Sequence, residues 1–509
     1  MVPSLSLEEQ VGQVIMGVWS GDAEHLAGLA AAGRIGGILV QPGAAQSARD
    51  LAATLNRAQR LATHPLLCAG DPEAGSLPGT TLLPGTLALG AARQPDLARR
   101  CGELTAREAR AMGIHLVLGP TLDVHREPNH LPSPPRSFGE NPSLVACLGA
   151  AFVEGCRAGG ALAVGSHFPG RGSAVYDHRR NLVVVPESRL TLEKIDLVPF
   201  VHACQAGLRC IMTGHMHIAA LDSLPTRLAT HSSAVVGGLL RSTLGFDGLL
   251  LTDNLDAQEI RVRYSPGEAA VLAFAAGHDL LITESPEEVY RALYEVLLHG
   301  DIPRSRLEQA VRRIWAVKEE LGLLRERFAS GEIPTGEEGP TLAREVAQAA
   351  LIAVKGQPER LVRPGLLLLS AHPPCPEGSS VTSDLQRLAA TYLPSASFQV
   401  LDGQPASQTD QVLAAAMAAE AAILFLDPAG ANEALAGLAR TLKRLGLAVG
   451  VVLMGNPYPL ARFPEADLLL YIASSTPACL EAVFSYLLGQ TRASARLPFT
   501  VRGLPPASP

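Results

Sequence analysis

The stretch GFDGLLLTDNLD, residues 245–256, decides how the chain is read. Glycines at 245 and 248 turn the backbone into a short run of leucines that stops on Thr252-Asp253-Asn254. An apolar run of this length, bounded by turn residues, reads as a strand buried on both faces. The pattern recurs in GGILVQPG (36–43), PLLCAGD (65–71), HLVLGPTLDV (115–124), ALAVGSHF (161–168), RCIMTGHM (209–216) and HDLLIT (278–283). Longer stretches of helical periodicity separate these runs, as expected of βα units around a parallel sheet. Several runs end on Asp71, Asp123, His167, His215 or Asp253. In a (β/α)8 barrel of the TIM type, those ends would meet at one mouth, where active sites lie.

Working outward, a helix after Pro303 closes this first domain, expected over 1–325. Ser305 is its expected cap, with Leu307, Val311, Ile314 and Leu321 on one face. ERFASGEIPTGEEGPT (326–341), rich in Gly, Pro and Glu, reads as the start of a linker over 326–345. Beyond it, LLLLS (366–370), AAILFLD (421–427), LAVGVVLMG (447–455) and ADLLLYIA (466–473) alternate with helical segments. That pattern predicts a smaller α/β sandwich over 346–509. A length of 509 residues accommodates such a pair, since domains average roughly 150 residues. No internal repeat or low-complexity tract interrupts it.

Composition narrows the function classes. Hydrophobic residues make up 47% of the chain and aromatics 4%, so the cores must be built from Leu, Ala and Val. The net charge of −7 and the lack of a basic cluster argue against a nucleic-acid partner. No apolar segment is long enough to span a bilayer, and acidic Glu8 and Glu9 stand where a signal peptide would be basic. The eight cysteines are scattered, without metal-ligand spacing, and read as reduced and structural. Together these features predict a soluble, cytoplasmic protein with no metal or other cofactor. Oligomeric state is not legible.

Two windows carry chemistry. A carboxylate at a strand end, such as Asp253, is rigidly placed and partly desolvated, which suits a nucleophile. A lone Thr-Asp pair is more often a helix cap, so the neighbouring windows decide. SHFPGRGSAVYDHRRNL (166–182) runs from a strand end into a Gly/Pro-rich charged loop. Such loops can carry an acid/base over a bound substrate, and Asp177-His178 offers a carboxylate beside an imidazole. The polar run 177–181 and the glycines 170 and 172 predict a mobile segment.

These windows resemble glycoside hydrolase family 3, especially its bacterial β-N-acetylglucosaminidase branch. That family carries K-H-F-P-G-H-G-D-T-x-x-D-S-H in the loop and a G-F-D-G strand ending in S/T-D. Here they stand as Ser166-His167-Phe168-Pro169-Gly170-Arg171-Gly172 and as Gly245-Phe246-Asp247-Gly248 leading to Thr252-Asp253. Leu122-Asp123-Val124, Arg136-Ser137-Phe138-Gly139-Glu140-Asn141-Pro142, Met212-Thr213-Gly214-His215 and Ala495-Arg496-Leu497-Pro498-Phe499-Thr500 resemble further family segments in order. The resemblance spans nearly the whole chain.

The resemblance implies a retaining, exo-acting β-glycosidase of β-N-acetylhexosaminidase or β-glucosidase type. Asp253 would form the covalent glycosyl-aspartate and a second group would serve as acid, then base. Cell-wall recycling is one setting it implies. Asp71, Arg136, His167, Ser166 and His215 fall at family positions that bind the sugar. Two cations are missing there: Ser166 stands for the family lysine and Gly79 for an arginine. A gap-free alignment places Asp177 on the family aspartate, His178 on its serine and Arg179 on its histidine, and arginine cannot exchange a proton near neutral pH. The acid/base is therefore His178 backed by Asp177 after a one-residue shift, or Glu377 of the second domain, or nothing. The alternative to a working glycosidase is a catalytically impaired sugar-binding or regulatory protein on the same scaffold. A phosphorylase is a third, minor reading.

Overall fold

The computed structural model describes residues 3–72, 77–128, 136–178, 181–334, 336–371, 381–401, 405–427 and 431–504, the side chains of 405–409 excepted. Eight parallel strands form the first sheet: β1 (Ile15–Trp19), β2 (Gly37–Val40), β3 (Leu67–Gly70), β4 (Leu116–Thr121), β5 (Leu162–Phe168), β6 (Cys210–Thr213), β7 (Leu249–Leu251) and β8 (Leu281–Thr283). Their spatial order follows the chain from β1 to β7, with β8 beside β1. The ring closes between β7 and β8, where Leu251 pairs with Leu280 and Thr252 N donates to Leu280 O at 3.1 Å. Each strand is apolar because barrel strands face a packed interior on one side and helices on the other.

All seven apolar runs of the first domain became barrel strands. The eighth, β1, escaped notice because it follows directly on the apolar face of the helix Leu7–Gln13. That helix starts at a capping box, with Glu9 N on Ser6 Oγ and Ser6 N on Glu9 Oε2. The closing helix runs Arg304–Glu320 and buries Leu307, Val311 and Ile314 as expected, but its N-cap is Pro303. Ser305 lies inside the helix and caps nothing. The same helix buries Lys318 completely, its Nζ donating to Gln13 Oε1 at 2.5 Å.

The second sheet has six strands: β9 (Ile352–Lys355), β10 (Leu366–Ser370), β11 (Ser397–Val400), β12 (Ala421–Leu426), β13 (Ala448–Met454) and β14 (Leu468–Ile472). Its order is β9-β14-β13-β12-β10-β11, parallel except for β9. The four central strands are the four apolar runs read from sequence. The edge strands β9 and β11 are partly exposed and carry too few apolar residues to stand out.

Contacts divide the chain into two compact units. One holds Met1–Thr81, Pro95–Leu131 and Asn141–Gly336, and the other Leu82–Gln94, Pro132–Glu140 and Glu337–Pro509. Two stretches within the span expected for the barrel thus group with the second sheet. The reason is local: a Cβ on Gly90 would lie 1.9 Å from Phe138 O, so only glycine permits that approach. Glu140 N donates to Pro498 O at 3.0 Å, and Thr500 N donates back to the Glu140 carboxylate at 2.8 Å. Two of the motifs quoted from sequence are therefore bonded to each other. The span expected as a linker is also divided. Residues near Ala329 bond to Asn56 of the first unit, whereas Glu338–Ala350 is a helix of the second. Among the described residues no helix is long and apolar enough to cross a membrane, and all described cysteines are free thiols.

Candidate active site

The carboxyl ends of the barrel strands bring Asp71 (after β3), Asp123 (after β4), Ser166 and His167 (in β5), His215 (after β6) and Asp253 (after β7) to one mouth. The turn after β7 is pinned from below, where Thr252 Oγ1 accepts Ile282 N at 3.0 Å. Asp253 Oδ1 accepts Asn254 N at 2.8 Å. Its other oxygen has no hydrogen-bond partner among the described residues. Burial alone would raise this carboxyl, but His215, His167 and Arg171 together outweigh it and hold Asp253 below the ordinary carboxylate range. Asp253 is thus ionised at neutral pH with one oxygen unclaimed, the state a nucleophile requires.

His167 is oriented by Asp123. Its Nδ1 lies 2.9 Å from Asp123 Oδ2, and because a carboxylate only accepts, Nδ1 carries the proton. Nε2 of His167 has no partner among the described residues and is the atom left for a ligand. The same carboxylate accepts the backbone N–H of Arg171 at 2.9 Å, and the Arg171 Nε stands 3.4 Å from it. Burial would raise Asp123 too, but His167 and Arg171 hold it far below its usual value.

His215 is placed differently from expectation. Its Nε2 is 2.8 Å from Asn254 O, a pure acceptor, so Nε2 donates; its Nδ1 is 2.8 Å from Thr230 Oγ1. With both nitrogens engaged, His215 reaches the site through the backbone beside Asp253 and not through a free ring nitrogen. Ser166 is buried within β5 and carries no charge. Asp71 is half-buried, and Gly79 takes a left-handed φ of +79°, where any side chain would be strained. Arg136 is exposed and belongs to the second compact unit.

Within the segment expected to be a mobile loop, described residues form paired strands. Val175–Asp177 pairs antiparallel with Leu182–Val185, which pairs in turn with His217–Ile218. Its base is fixed because Gly172 O accepts Arg126 N at 2.8 Å. Asp177 is half-buried and His178 exposed, with the His178 ring edge-on to Tyr176 at 4.8 Å between centroids. Arg263 Nη2 donates to Asn181 O at 3.0 Å, tying the hairpin's far end to the segment after β7. Arg179 and Glu377 lie outside the described residues.

Three groups were not picked out from sequence. Arg171 stands at a family histidine, and its change of residue type was the available signal. Thr230 and the pair Arg126–Asp196 carry no motif, since their roles arise from contacts distant in sequence.

The family model described as "Glycosyl hydrolase family 3 N terminal domain" matches residues 6–317. A Beta-N-acetylglucosaminidase/beta-glucosidase of Cellulomonas fimi is 30% identical over 375 residues, covering 69% of this chain. This chain spans 65% of that relative's length. A Beta-hexosaminidase of Alkalilimnicola ehrlichii is 35% identical over 267 residues, covering 50% of this chain and 76% of its own. Among solved structures, a glycoside hydrolase family 3 beta-N-acetylglucosaminidase from Paenibacillus sp. superposes with a TM-score of 0.89 at 26% identity. That match covers 98% of this chain and 99% of the other.

Proposed function

The chain belongs to glycosyl hydrolase family 3, and from that premise we propose that it is a retaining β-glycosidase removing a terminal β-linked sugar through a glycosyl-aspartate on Asp253. The observation that carries the proposal is the state of that carboxylate: ionised, held by one oxygen and open at the other. Attack on C1 forms the ester while an acid protonates the departing oxygen; water activated by the same group then releases the sugar. His167 Nε2, Asp71 and Ser166 are the proposed contacts to the sugar hydroxyls, with Asp123 fixing the first of them. His178 is the proposed acid/base, with Asp177, its neighbouring carboxylate, in a secondary role. The names of the relatives favour N-acetylglucosamine or glucose as the glycone. Free thiols, five of the seven described ones buried, suit a reducing cytoplasm, where salvage of cell-wall sugars is the proposed setting.

The test is turnover of 4-nitrophenyl β-N-acetylglucosaminide and β-glucoside, with the first-formed anomer read by NMR. Retention of the β anomer is expected, together with labelling of the Asp253 peptide by a 2-deoxy-2-fluoroglycoside. Asp253→Asn, nearly isosteric, should lower kcat by about a thousandfold or more, equivalent to ~4 kcal/mol of barrier, at an unchanged melting temperature. An inverted product, or full activity in that variant, would overturn the mechanism.

A further inference from the structure

We propose that the free end of the Arg171 guanidinium is a sugar-recognition group, donating to neighbouring hydroxyls of the glycone held against Asp253. The inference rests on the glycosidase reading and adds a specificity residue to it. The Arg171 backbone is confined on both sides. A Cβ on Gly172 would lie 1.9 Å from Val124 O, and one on Gly170 would lie 2.8 Å from Asp196 Cβ. The stem is fixed as well, with Arg171 N on Asp123 Oδ1 at 2.9 Å and Nε 3.4 Å from Oδ2.

Beyond Nε, the two terminal nitrogens have no partner among the described residues, and the side chain is 31% exposed. A planar fork with four N–H donors is therefore presented at the mouth. Asp123 Oδ2 is shared between Arg171 Nε and His167 Nδ1, which sets the guanidinium beside the imidazole that ends β5 at the same mouth as Asp253. The chemical class of the ligand follows from the charges. Asp123 already balances the guanidinium, while Asp253 faces the same space with its own charge. An anionic group would meet that charge, so a neutral pair of hydroxyls fits better. Ser166, beside His167 in β5, carries no charge, and Arg171 provides the charge-assisted donors.

The experiment is calorimetric titration of methyl β-glucoside and methyl N-acetyl-β-glucosaminide, each with its monodeoxy analogues, into wild type, Arg171→Ala and Arg171→Lys. Arg171→Ala should weaken the better-bound parent sugar by about tenfold to a hundredfold, the range for a hydrogen bond to a charged group. Arg171→Lys should recover part of the loss. At least one deoxy analogue should bind wild type and Arg171→Ala equally, because the hydroxyl that Arg171 reads is gone. Unchanged affinity in Arg171→Ala, or the same loss for every analogue, would overturn the proposal and leave the glycosidase reading intact. Wild-type protein that binds none of these sugars would remove that reading and this one together.

Discussion

Arg126 holds the Asp196 carboxylate by both oxygens, with Nη2 at 2.9 Å from Oδ1 and 2.8 Å from Oδ2. Asp196 is fully buried. The same guanidinium reaches Glu187 Oε1 at 3.2 Å, just past the hairpin's second strand, while the Arg126 backbone N holds Gly172 at its beginning. One residue thus clamps both ends of the segment that carries Asp177 and His178, and anchors them on a carboxylate with no access to water.

Arg126→Ala should therefore cost both stability and turnover. Removing one partner of a buried pair typically costs about 3–5 kcal/mol, because the other charge stays buried. Burial pushes Asp196 up to about 6 in spite of Arg126, with Glu187 and Asp123 adding to the rise. The native state then holds a proton that the unfolded chain releases, so this group's contribution is full below about 4 and lost as pH rises through about 6. Without Arg126 the rise is larger, and the deficit against wild type should widen from pH 4.5 to 7.5. Melting temperatures at the two pH values check this, and a constant deficit would contradict it.

The clamp also shows what the sequence could reveal. The apolar runs were legible because a barrel strand buried on both faces needs an unbroken run, whatever its partners. The placement of Asp253 and His167 at the barrel mouth was legible because each stands at the end of such a run. The clamp residues are separated by 70 positions, and nothing local to Arg126 or Asp196 signals the other. The grouping of Phe138 and Glu140 with the second unit had the same cause, since their partners Gly90 and Pro498 lie far off along the chain. The position of His215 just past a strand was legible, but its orientation was not, because Thr230 and Asn254 O determine it.

Lys318 predicts a second pH effect of opposite sign. Burial pushes its amine down to about 7, with Gln13 Oε1 as its hydrogen-bond partner. Between about 7 and the ordinary lysine value near ~10.4, the unfolded chain binds a proton that the native state does not. Stability should therefore rise with pH across that window, by on the order of a few kcal/mol. Lys318→Met keeps the stem's volume and removes the charge, so urea midpoints of the variant should lose this dependence between pH 7 and 9.5. Parallel slopes in variant and wild type would show that other groups set them.

His215→Ala should act on Asp253, the proposed nucleophile, without touching the sugar. It frees Asn254 O and removes the His215 imidazole, the largest of the influences that lower Asp253. We expect kcat to fall by about tenfold or more, the scale of one lost hydrogen bond at ~1.4 kcal/mol, with KM little changed. The acid limb of the pH–rate profile should move upward as Asp253 loses its depression. A rise in KM at constant kcat would instead make His215 a sugar contact.

The identity of the acid/base turns on the hairpin. A strand sends successive side chains to opposite faces, and the contact between the His178 and Tyr176 rings puts those two on one face. Asp177, between them, leaves the strand on the other face, so the pair cannot both be aimed at one point from a flat strand. An imidazole serves as a general acid and base by residue type, which the guanidinium of the neighbouring Arg179 does not, and His178 is exposed. If His178 protonates the leaving oxygen, its loss matters most where that oxygen is a poor leaving group. His178→Ala should slow hydrolysis of β-linked disaccharides about a hundredfold or more, within the range for general acid catalysis. Turnover of 4-nitrophenyl glycosides, whose leaving group needs little protonation, should fall far less, and added azide should restore part of it. Asp177→Asn should have the smaller effect on both substrates, because its face is the opposite one. Equal and small losses on both substrates in His178→Ala would strip the hairpin of this role and pass it to a carboxylate elsewhere in the chain.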